Sequence, residues 1–139
     1  MNEYHPDLLA NRILADARRL LIEESAWVKG PLAKDAKGRV TDPHSPLACS
    51  WCALGAIECV TSGIYDEIDD DIDDGGENVE LAHELAIDRL GFEVKGYYSD
   101  FGSENEVAKF NDSEETEHSE ILQLFDDALC RQDAERYWK

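Results

Sequence analysis

One uncharged stretch constrains the fold of this chain more than any other feature. Residues Leu47–Ile57 contain no Asp, Glu, Lys or Arg, although 32% of the chain is charged. The stretch is shorter than the roughly 18 residues of a membrane-spanning helix, so we expect it to be buried in a protein core. Ser45 suits an N-cap and Gly63 suits a helix end, which predicts a central helix between them. Gly55 is unfavourable inside a helix, which predicts close approach of a neighbouring backbone.

Apolar spacing and capping signals predict further helices around this one. The first runs over 6–24, with a proline at its first position. The next runs from Glu77 to Leu90 and is closed by Gly91. Its apolar stripe is Leu81, Ala82, Leu85, Ala86 and Leu90. A capping box at 103–106 opens a short helix that runs to Phe110, and a second box at 112–115 opens a last helix over 112–136.

Two segments carry turn residues instead of helical spacing. Residues 27–46 form a long polar loop, which can include a short hairpin. Residues 64–80 contain the acidic run and Gly75-Gly76, and we predict a loop or a partly ordered arm there. Residues 92–102 fit either a short strand or irregular turns. The predicted fold is therefore mainly all-α, a compact four- to five-helix bundle that forms one domain over 1–139.

The formal net charge of −19 comes from one part of the chain. Residues 64–127 contain 22 acidic and 3 basic residues, whereas residues 1–63 contain 8 and 7. Binding to nucleic acid or to an anionic membrane requires clustered Lys and Arg, so we expect neither. The N-terminus lacks a basic segment followed by an apolar one, which predicts no signal peptide. Together with four cysteines, this predicts a cytoplasmic protein with reduced thiols.

Short motifs give the chain a family resemblance. They are Trp-x-x-Gly at 27–30, Asp-Ala-x-Gly-Arg at 35–39, Asp42-Pro43, Trp-Cys-x-Leu-Gly-Ala at 51–56 and Asn111-Asp112. In these motifs the chain resembles a small bacterial and phage family catalogued only as a domain of unknown function. Phe110 stands where that pattern has Trp, and the acidic run at 66–74 is an elaboration of it. The resemblance implies a fold and a phage or mobile-element context, which is compatible with an anti-defence role.

The concentrated acid is the basis of the first functional hypothesis, an acidic protein-interaction module. Its partner would be a basic nucleic-acid-binding protein, which it would inhibit by nucleic-acid mimicry in the manner of anti-CRISPR or anti-restriction proteins. Helical spacing places Glu77, Glu80 and Glu84 on one face, where they repel one another unless a basic partner binds. The predicted partner-binding residues are Asp66, Glu67, Asp69, Asp70, Asp71, Asp73, Asp74, Glu77, Glu80, Glu84, Glu114, Glu115, Glu117, Tyr97 and Tyr98.

The alternative hypothesis assigns function to the loop at 27–44. In a small-ligand-binding protein or an enzyme, Lys29, Arg39 and His44 would form a pocket against Trp51. The same basic residues also balance nearby acids, which requires no ligand. A third hypothesis is an acidic accessory subunit without inhibitory function. The oligomeric state does not follow from the sequence.

Thiols and carboxylates are the candidate metal-ligating or catalytic groups. His44, Cys49, Cys52 and Cys59 offer the donors of a zinc site, and Cys49-x-x-Cys52 has the spacing of a redox dithiol. The three cysteines fall on one predicted helix, which favours buried thiols instead. No third group or oxyanion loop supports a Cys–His hydrolase.

Four carboxylates imitate the spacing of a calcium-binding loop. They are Asp69, Asp71, Asp73 and Glu80. Asp74 stands where such a loop requires glycine, so the pattern does not predict that site. We therefore expect no catalytic residue, no specific metal site and no cofactor.

Overall fold

Five α-helices and two short strands follow one another in the computed structural model, which describes residues 5–68, 75–95 and 103–137. Side chains are described at 5–68, 76–94 and 103–130. The helices are α1 (Pro6–Leu20), α2 (Ala53–Glu67), α3 (Gly75–Lys95), α4 (Ser103–Asp112) and α5 (His118–Tyr137). The strands are β1 (Ala33–Asp35) and β2 (Ala48–Trp51), and Glu24–Ala26 form a single 3-10 turn. The predicted all-α bundle is confirmed.

The first helix begins where the sequence predicts and ends earlier. Pro6 occupies the first helical position, and the His5 side chain accepts a hydrogen bond from the amide of Asp7 at 3.3 Å. The amide of Leu21 bonds back to the carbonyl of Ala17, and Leu21 is fully buried. The chain then turns, so that Trp27 forms a bridge with Trp51. The prediction of a helix to Glu24 is therefore wrong by one turn.

The apolar stretch forms a strand before it forms a helix, so the predicted helix start at Ser45 is wrong. Strand β2 pairs antiparallel with β1, and α2 begins only at Ala53. The Cys52 thiol accepts a hydrogen bond from the amide of Gly55 at 3.3 Å and acts as the N-cap. A short apolar run fits a strand or a helix equally well, and here distant pairing partners decide.

Close backbone approach at Gly55 is confirmed, and two other glycines differ from their predicted roles. A Cβ atom at Gly55 would lie 1.8 Å from the carbonyl oxygen of Leu32. Helix α2 continues through Gly63 to Glu67, and α3 continues through Gly91 to Lys95. A Cβ atom at Gly91 would lie 2.8 Å from that of Ser103, so this glycine allows α3 and α4 to touch.

The segment predicted as an acidic loop is shorter than 64–80. Residues 64–67 belong to α2 and residues 75–80 belong to α3, because the buried side chains of Ile64 and Val79 tie both ends to the core. Residues 69–74 lie outside the described residues, as do 96–102. The last helix begins at His118 instead of at 112. The Glu120 carboxylate accepts a hydrogen bond from the amide of Glu117 at 3.2 Å, so the capping box spans 117–120, five residues later than the predicted box at 112–115.

One hydrophobic core joins the described helices. Helix α1 packs against α2, α3 and α5, and α3 also packs against α2, α4 and α5. The largest fully buried apolar side chains are Leu9, Ile13, Leu14, Leu21, Ile57, Ile64, Val79, Leu90, Val107, Ile121 and Phe125. The described part of the chain is therefore one structural unit. Within that part, no helix combines the length and the apolar character needed to cross a membrane.

Candidate functional site

The acidic face of α3 has the geometry that its spacing predicts. Glu77, Glu80 and Glu84 are all exposed, and with Leu81 they line an open depression of about 400 Å³. Leu81 is 50% exposed, so it does not belong to the buried stripe predicted for this helix. No described Lys or Arg forms an ion pair with these three carboxylates. We call these four residues the α3 face.

A tyrosine on α2 lies at the edge of the α3 face. The Tyr65 hydroxyl donates a hydrogen bond to the carbonyl oxygen of Gly76 at 3.4 Å, and its side chain is exposed. Partial burial and the negative charge of Glu80 both raise the pKa of Tyr65. The negative electrostatic potential of the α3 face therefore extends to the Tyr65 ring, and this ring adds contact area to the charged surface.

All five arginines whose side chains the structure describes are engaged within the molecule. Their ion pairs are Arg12 with Asp16 and Glu67, Arg18 with Asp126, Arg19 with Asp16, Arg39 with Asp35 and Arg89 with Asp7. The exposed ones among these pairs contribute little to stability, but all of them reduce the negative potential around their own acids. The negative charge of the α3 face is not reduced in this way.

The remaining predicted partner-binding residues divide into three groups. Asp66 is exposed, whereas Glu67 accepts a hydrogen bond from Arg12 at 2.6 Å, which lowers the pKa of Glu67. Glu67 is thus partly neutralised in the free protein. The exposed acids at 114, 115 and 117 lie in the turn before α5, although the sequence predicts them within the last helix. The other predicted partner-binding residues lie outside the described residues; they are Asp69, Asp70, Asp71, Asp73, Asp74, Tyr97 and Tyr98.

A buried asparagine connects the motifs that carry the family resemblance. Asn111 is 1% exposed, and its Oδ1 accepts hydrogen bonds from Trp27 Nε1 at 2.7 Å and from the amide of Ala53 at 3.0 Å. Its Nδ2 donates to the carbonyl of Val28 and to Asp112 Oδ1, both at 3.0 Å. One side chain therefore holds the 27–28 backbone, the start of α2 and the end of α4 together.

The other motif residues also form internal hydrogen bonds. Asp112 Oδ1 accepts a hydrogen bond from the amide of Gly30 at 2.8 Å, and Trp51 Nε1 donates to the carbonyl of Pro43 at 2.8 Å. The Asp35 carboxylate accepts bonds from the amide and side chain of Arg39 and from a second amide in the same turn. These bonds, led by the Arg39 amide, lower the pKa of Asp35. Satisfied polar groups of this kind stabilise the fold and leave little capacity for a ligand.

The ligand pocket predicted from Lys29, Arg39, His44 and Trp51 is not formed as expected. Arg39 is paired with Asp35, Trp51 is bonded to the backbone of Pro43, and His44 is exposed. A cleft does lie beside the loop, but of these four residues only Lys29 lines it. The sequence argument grouped them because they are near in sequence, whereas the hairpin turn directs Arg39 back onto its own strand.

The cleft lies between the Trp27 loop and the start of α5. Its open volume is about 500 Å³, and its lining residues are Glu24, Trp27, Lys29, Thr116, Glu117, His118 and Ser119. The rings of Trp27 and His118 have centroids 5.9 Å apart, and Lys29 Nζ lies 5.4 Å from the Trp27 ring. His118 Nε2 donates to the carbonyl of Leu21 at 2.6 Å, which fixes the imidazole. Sequence reasoning missed Thr116, because nothing near it in the sequence marks a cleft.

The cysteines do not share one helix, which corrects the arrangement assumed for them. Cys49 is exposed on β2, Cys52 is buried at the α2 N-cap and Cys59 is half-buried within α2. Burial raises the pKa of both Cys52 and Cys59, which makes these thiols less reactive. Among the described residues, no group of three or more His, Cys, Asp or Glu side chains is placed to hold a metal ion.

Fold and surface together define a small acidic protein, mainly all-α, with a two-stranded hairpin whose preceding segment, residues 27–30, is bonded to the end of α4. The model of the family of unknown function DUF6197 matches residues 5–130, so the chain belongs to that family. This confirms the membership indicated by the sequence motifs, all of which lie in the matched range. No curated protein and no solved structure matches the chain. The functional argument therefore depends on the residues themselves.

Proposed function

We propose that this protein is an acidic interaction module that binds a basic protein through the α3 face. The observation that carries the proposal is the group of exposed, unpaired carboxylates of Glu77, Glu80 and Glu84 around half-exposed Leu81. Like charges at helical spacings of three and four destabilise a helix by about 0.2–0.5 kcal/mol per pair. A partner with Lys or Arg side chains removes that repulsion and gains attraction.

The composition of the α3 face supports a protein partner rather than a solvated surface. Stable interfaces place an apolar side chain at the centre and polar groups at the rim. Leu81 provides the apolar centre, the glutamates provide the rim, and Tyr65 extends it with an aromatic ring. The complementary surface would have a shallow apolar site surrounded by basic residues.

Charge spacing supports a nucleic-acid-binding protein as the partner. The seven-residue step from Glu77 to Glu84 covers about 10.5 Å of helix axis and presents three carboxylates. One strand of duplex DNA presents a phosphate about every 3.4 Å, or about four over the same length. The three carboxylates of the α3 face thus approach the linear charge density of one nucleic-acid strand. Within the proposal, the module occupies a basic groove and inhibits the partner, which is an anti-defence action of the anti-CRISPR or anti-restriction type.

The test compares two charge-matched triple variants. Glu77→Gln, Glu80→Gln and Glu84→Gln remove the carboxylates of the α3 face. Glu23→Gln, Asp42→Asn and Glu106→Gln remove the same charge elsewhere. Each protein is used to capture proteins from host lysate at about 0.1 to 0.5 M salt, a range over which screening weakens exposed charge pairs.

We expect the wild type and the control triple to retain a basic nucleic-acid-binding protein at low salt. Duplex DNA should displace it, and the α3-face triple should fail to capture it. Equal capture by the two triples would reject the α3 face as the binding surface. A partner that is retained at high salt and unaffected by DNA would reject mimicry.

A further inference from the structure

The two-stranded hairpin presents a second surface, whose charge is opposite to that of the α3 face. We infer that this surface binds the α3 face of a second copy of the chain in a head-to-tail contact. We call it the hairpin surface and define it by three exposed apolar residues and two lysines, which are Leu32, Val40, Leu47, Lys34 and Lys37. The inference rests on the α3 face as a binding surface, as the proposed function does, but it requires no host protein.

Exposed apolar side chains are concentrated in the hairpin. Six large apolar side chains are exposed in the described part of the chain, and three of them lie between residues 32 and 47. Val40 is 72% exposed and Leu47 is 67% exposed. Lys34 forms a bridge with Val40, and Leu32 lies two residues before Lys34, so these three residues share one side of the sheet. Clustered apolar exposure of this kind is typical of a protein–protein contact.

The charge of the hairpin is positive, in contrast to that of the whole chain. Residues 29–47 contain four basic and two acidic residues, whereas the chain has a formal net charge of −19. Neither Lys34 nor Lys37 forms an ion pair with any described residue. The α3 face offers the complementary groups, which are three unpaired carboxylates around half-exposed Leu81. Apolar contact and opposite charge therefore match between the two surfaces.

Helix α2 keeps the two surfaces apart within one molecule. Leu32 lies at the start of α2, where its carbonyl accepts a hydrogen bond from the amide of Cys52 at 3.1 Å. Tyr65, at the edge of the α3 face, lies near the other end of α2 and bonds to Gly76. The ten-residue step from Gly55 to Tyr65 covers about 15 Å of helix axis. The surfaces are therefore available to each other only between molecules.

The large net charge weakens this contact without preventing it. At an ionic strength of about 0.15 M, exposed charges more than about 8 Å apart are largely screened, whereas pairs that a contact partly buries are screened less. Each copy has one surface of each kind, so the contact is heterologous and can extend to further copies. An α3 face that is occupied by a second copy is closed to a basic partner. Self-association therefore competes with the proposed function.

Sedimentation velocity of the purified full chain tests the inference at about 10 μM to 1 mM protein and about 0.15 M NaCl. A reductant is present because Cys49 and Cys130 are exposed. We expect the weight-average mass to rise above that of one chain as the concentration increases. A wild-type protein that stays monomeric throughout would overturn the inference. It would leave the capture test of the α3 face unaffected, because no host protein takes part in this measurement.

Two charge-reversal variants locate the contact. The hairpin swap carries Lys34→Glu and Lys37→Glu, and the α3 swap carries Glu80→Lys and Glu84→Lys. Each should remain monomeric at concentrations where the wild type associates, because like charges then face each other. The matched control for the hairpin swap reverses two exposed basic residues elsewhere, Arg19→Glu and Lys109→Glu, and should associate like the wild type. Association that survives either swap would overturn the assignment of these surfaces.

An equimolar mixture of the hairpin swap and the α3 swap is the decisive sample, because it restores opposite charges at the contact. We expect the mixture to associate although neither variant does so alone, which also shows that both variants are folded. A mixture that stays monomeric, with both variants helical by circular dichroism, would refute the pairing of these two surfaces. Val40→Ser with Leu47→Ser should weaken wild-type association several-fold, because apolar contact is lost without a change of charge.

Discussion

Replacement of Asn111 by leucine is the most direct test of how this fold is held together. The side chain is 1% exposed and forms four hydrogen bonds. Leucine has the same branching and the same number of side-chain heavy atoms, so the change removes the polar groups and keeps the shape, although its methyl groups are bulkier and add some overpacking. Trp27 Nε1, the amide of Ala53 and the carbonyl of Val28 then lose the partners that Asn111 supplied.

The expected loss follows from those three groups. Leaving a buried donor or acceptor unsatisfied costs about 1–3 kcal/mol. The amide of Ala53 lies in the core, whereas the Trp27 and Val28 groups are only partly buried and regain some hydration. We therefore expect Asn111→Leu to lower the free energy of unfolding by about 3–5 kcal/mol. This is a large fraction of the 5–15 kcal/mol that is typical of a native domain.

Urea unfolding followed by circular dichroism at the helix band measures this loss. The matched control is Asn105→Leu, which makes the same change at an exposed position of the same helix and should stay within about 0.5 kcal/mol of the wild type. Asn111→Asp tests the amide donor of Asn111 separately from its acceptor. It keeps an acceptor for Trp27, but it removes the Nδ2 donor and places a second carboxylate beside Asp112. A loss below about 1 kcal/mol for Asn111→Leu would refute the role assigned to this network.

Two further predictions concern the helix contacts. Gly55→Ala should destabilise the protein by about 3 kcal/mol or more, because the added Cβ would overlap the carbonyl of Leu32. Gly63→Ala should stabilise it by about 0.5–1 kcal/mol, since no atom lies within 4 Å of a Cβ added there. Thermal melts of the two variants check both signs. His83 and Glu58 form a pair at 2.6 Å, which raises the pKa of His83 above 6.5 and lowers that of Glu58 below 4.5. The His83 contribution is complete below pH 6.5 and is lost as the pH rises through its raised value, while the Glu58 contribution is lost only in acid. The stability difference between wild type and His83→Gln should therefore fall by about 1 kcal/mol from pH 6 to pH 9 in urea titrations, and a difference that does not change with pH would contradict the pairing.

Local signals predicted the parts of the fold that are decided locally. The start of α1 depends on a proline and an acidic first turn, and both act within a few residues. The start of α2 has a good local signal at Ser45 as well, but the structure does not use it. Residues 48–51 instead pair with β1 and contact Trp27, and such long-range partners are not visible in the local pattern. Gly91 shows the same ambiguity, because a glycine that ends a helix and one that admits a neighbouring helix look alike in sequence.

The same distinction between local signals and long-range contacts applies to the candidate sites. The carboxylates of the α3 face were predictable because residues three and four apart share a helix face. The exposure of Leu81 was not predictable, since it depends on where α3 packs against the rest of the core. The cleft was not predictable either. Its walls come from residues 24–29 and 116–119, which are distant in sequence and are brought together by hydrogen bonds of Asn111, Asp112 and His118.

The Asn111 network has different consequences for the two sites. It holds Trp27, which forms one wall of the cleft, and it ends α4 just before the turn that contains Thr116. The α3 face instead depends on helix spacing within α3, and no hydrogen bond of Asn111 reaches that helix. In a folded Asn111→Leu variant, the Trp27 wall of the cleft should therefore lose its position while binding of a basic partner persists. Loss of both together would mean that the two surfaces are coupled through the core.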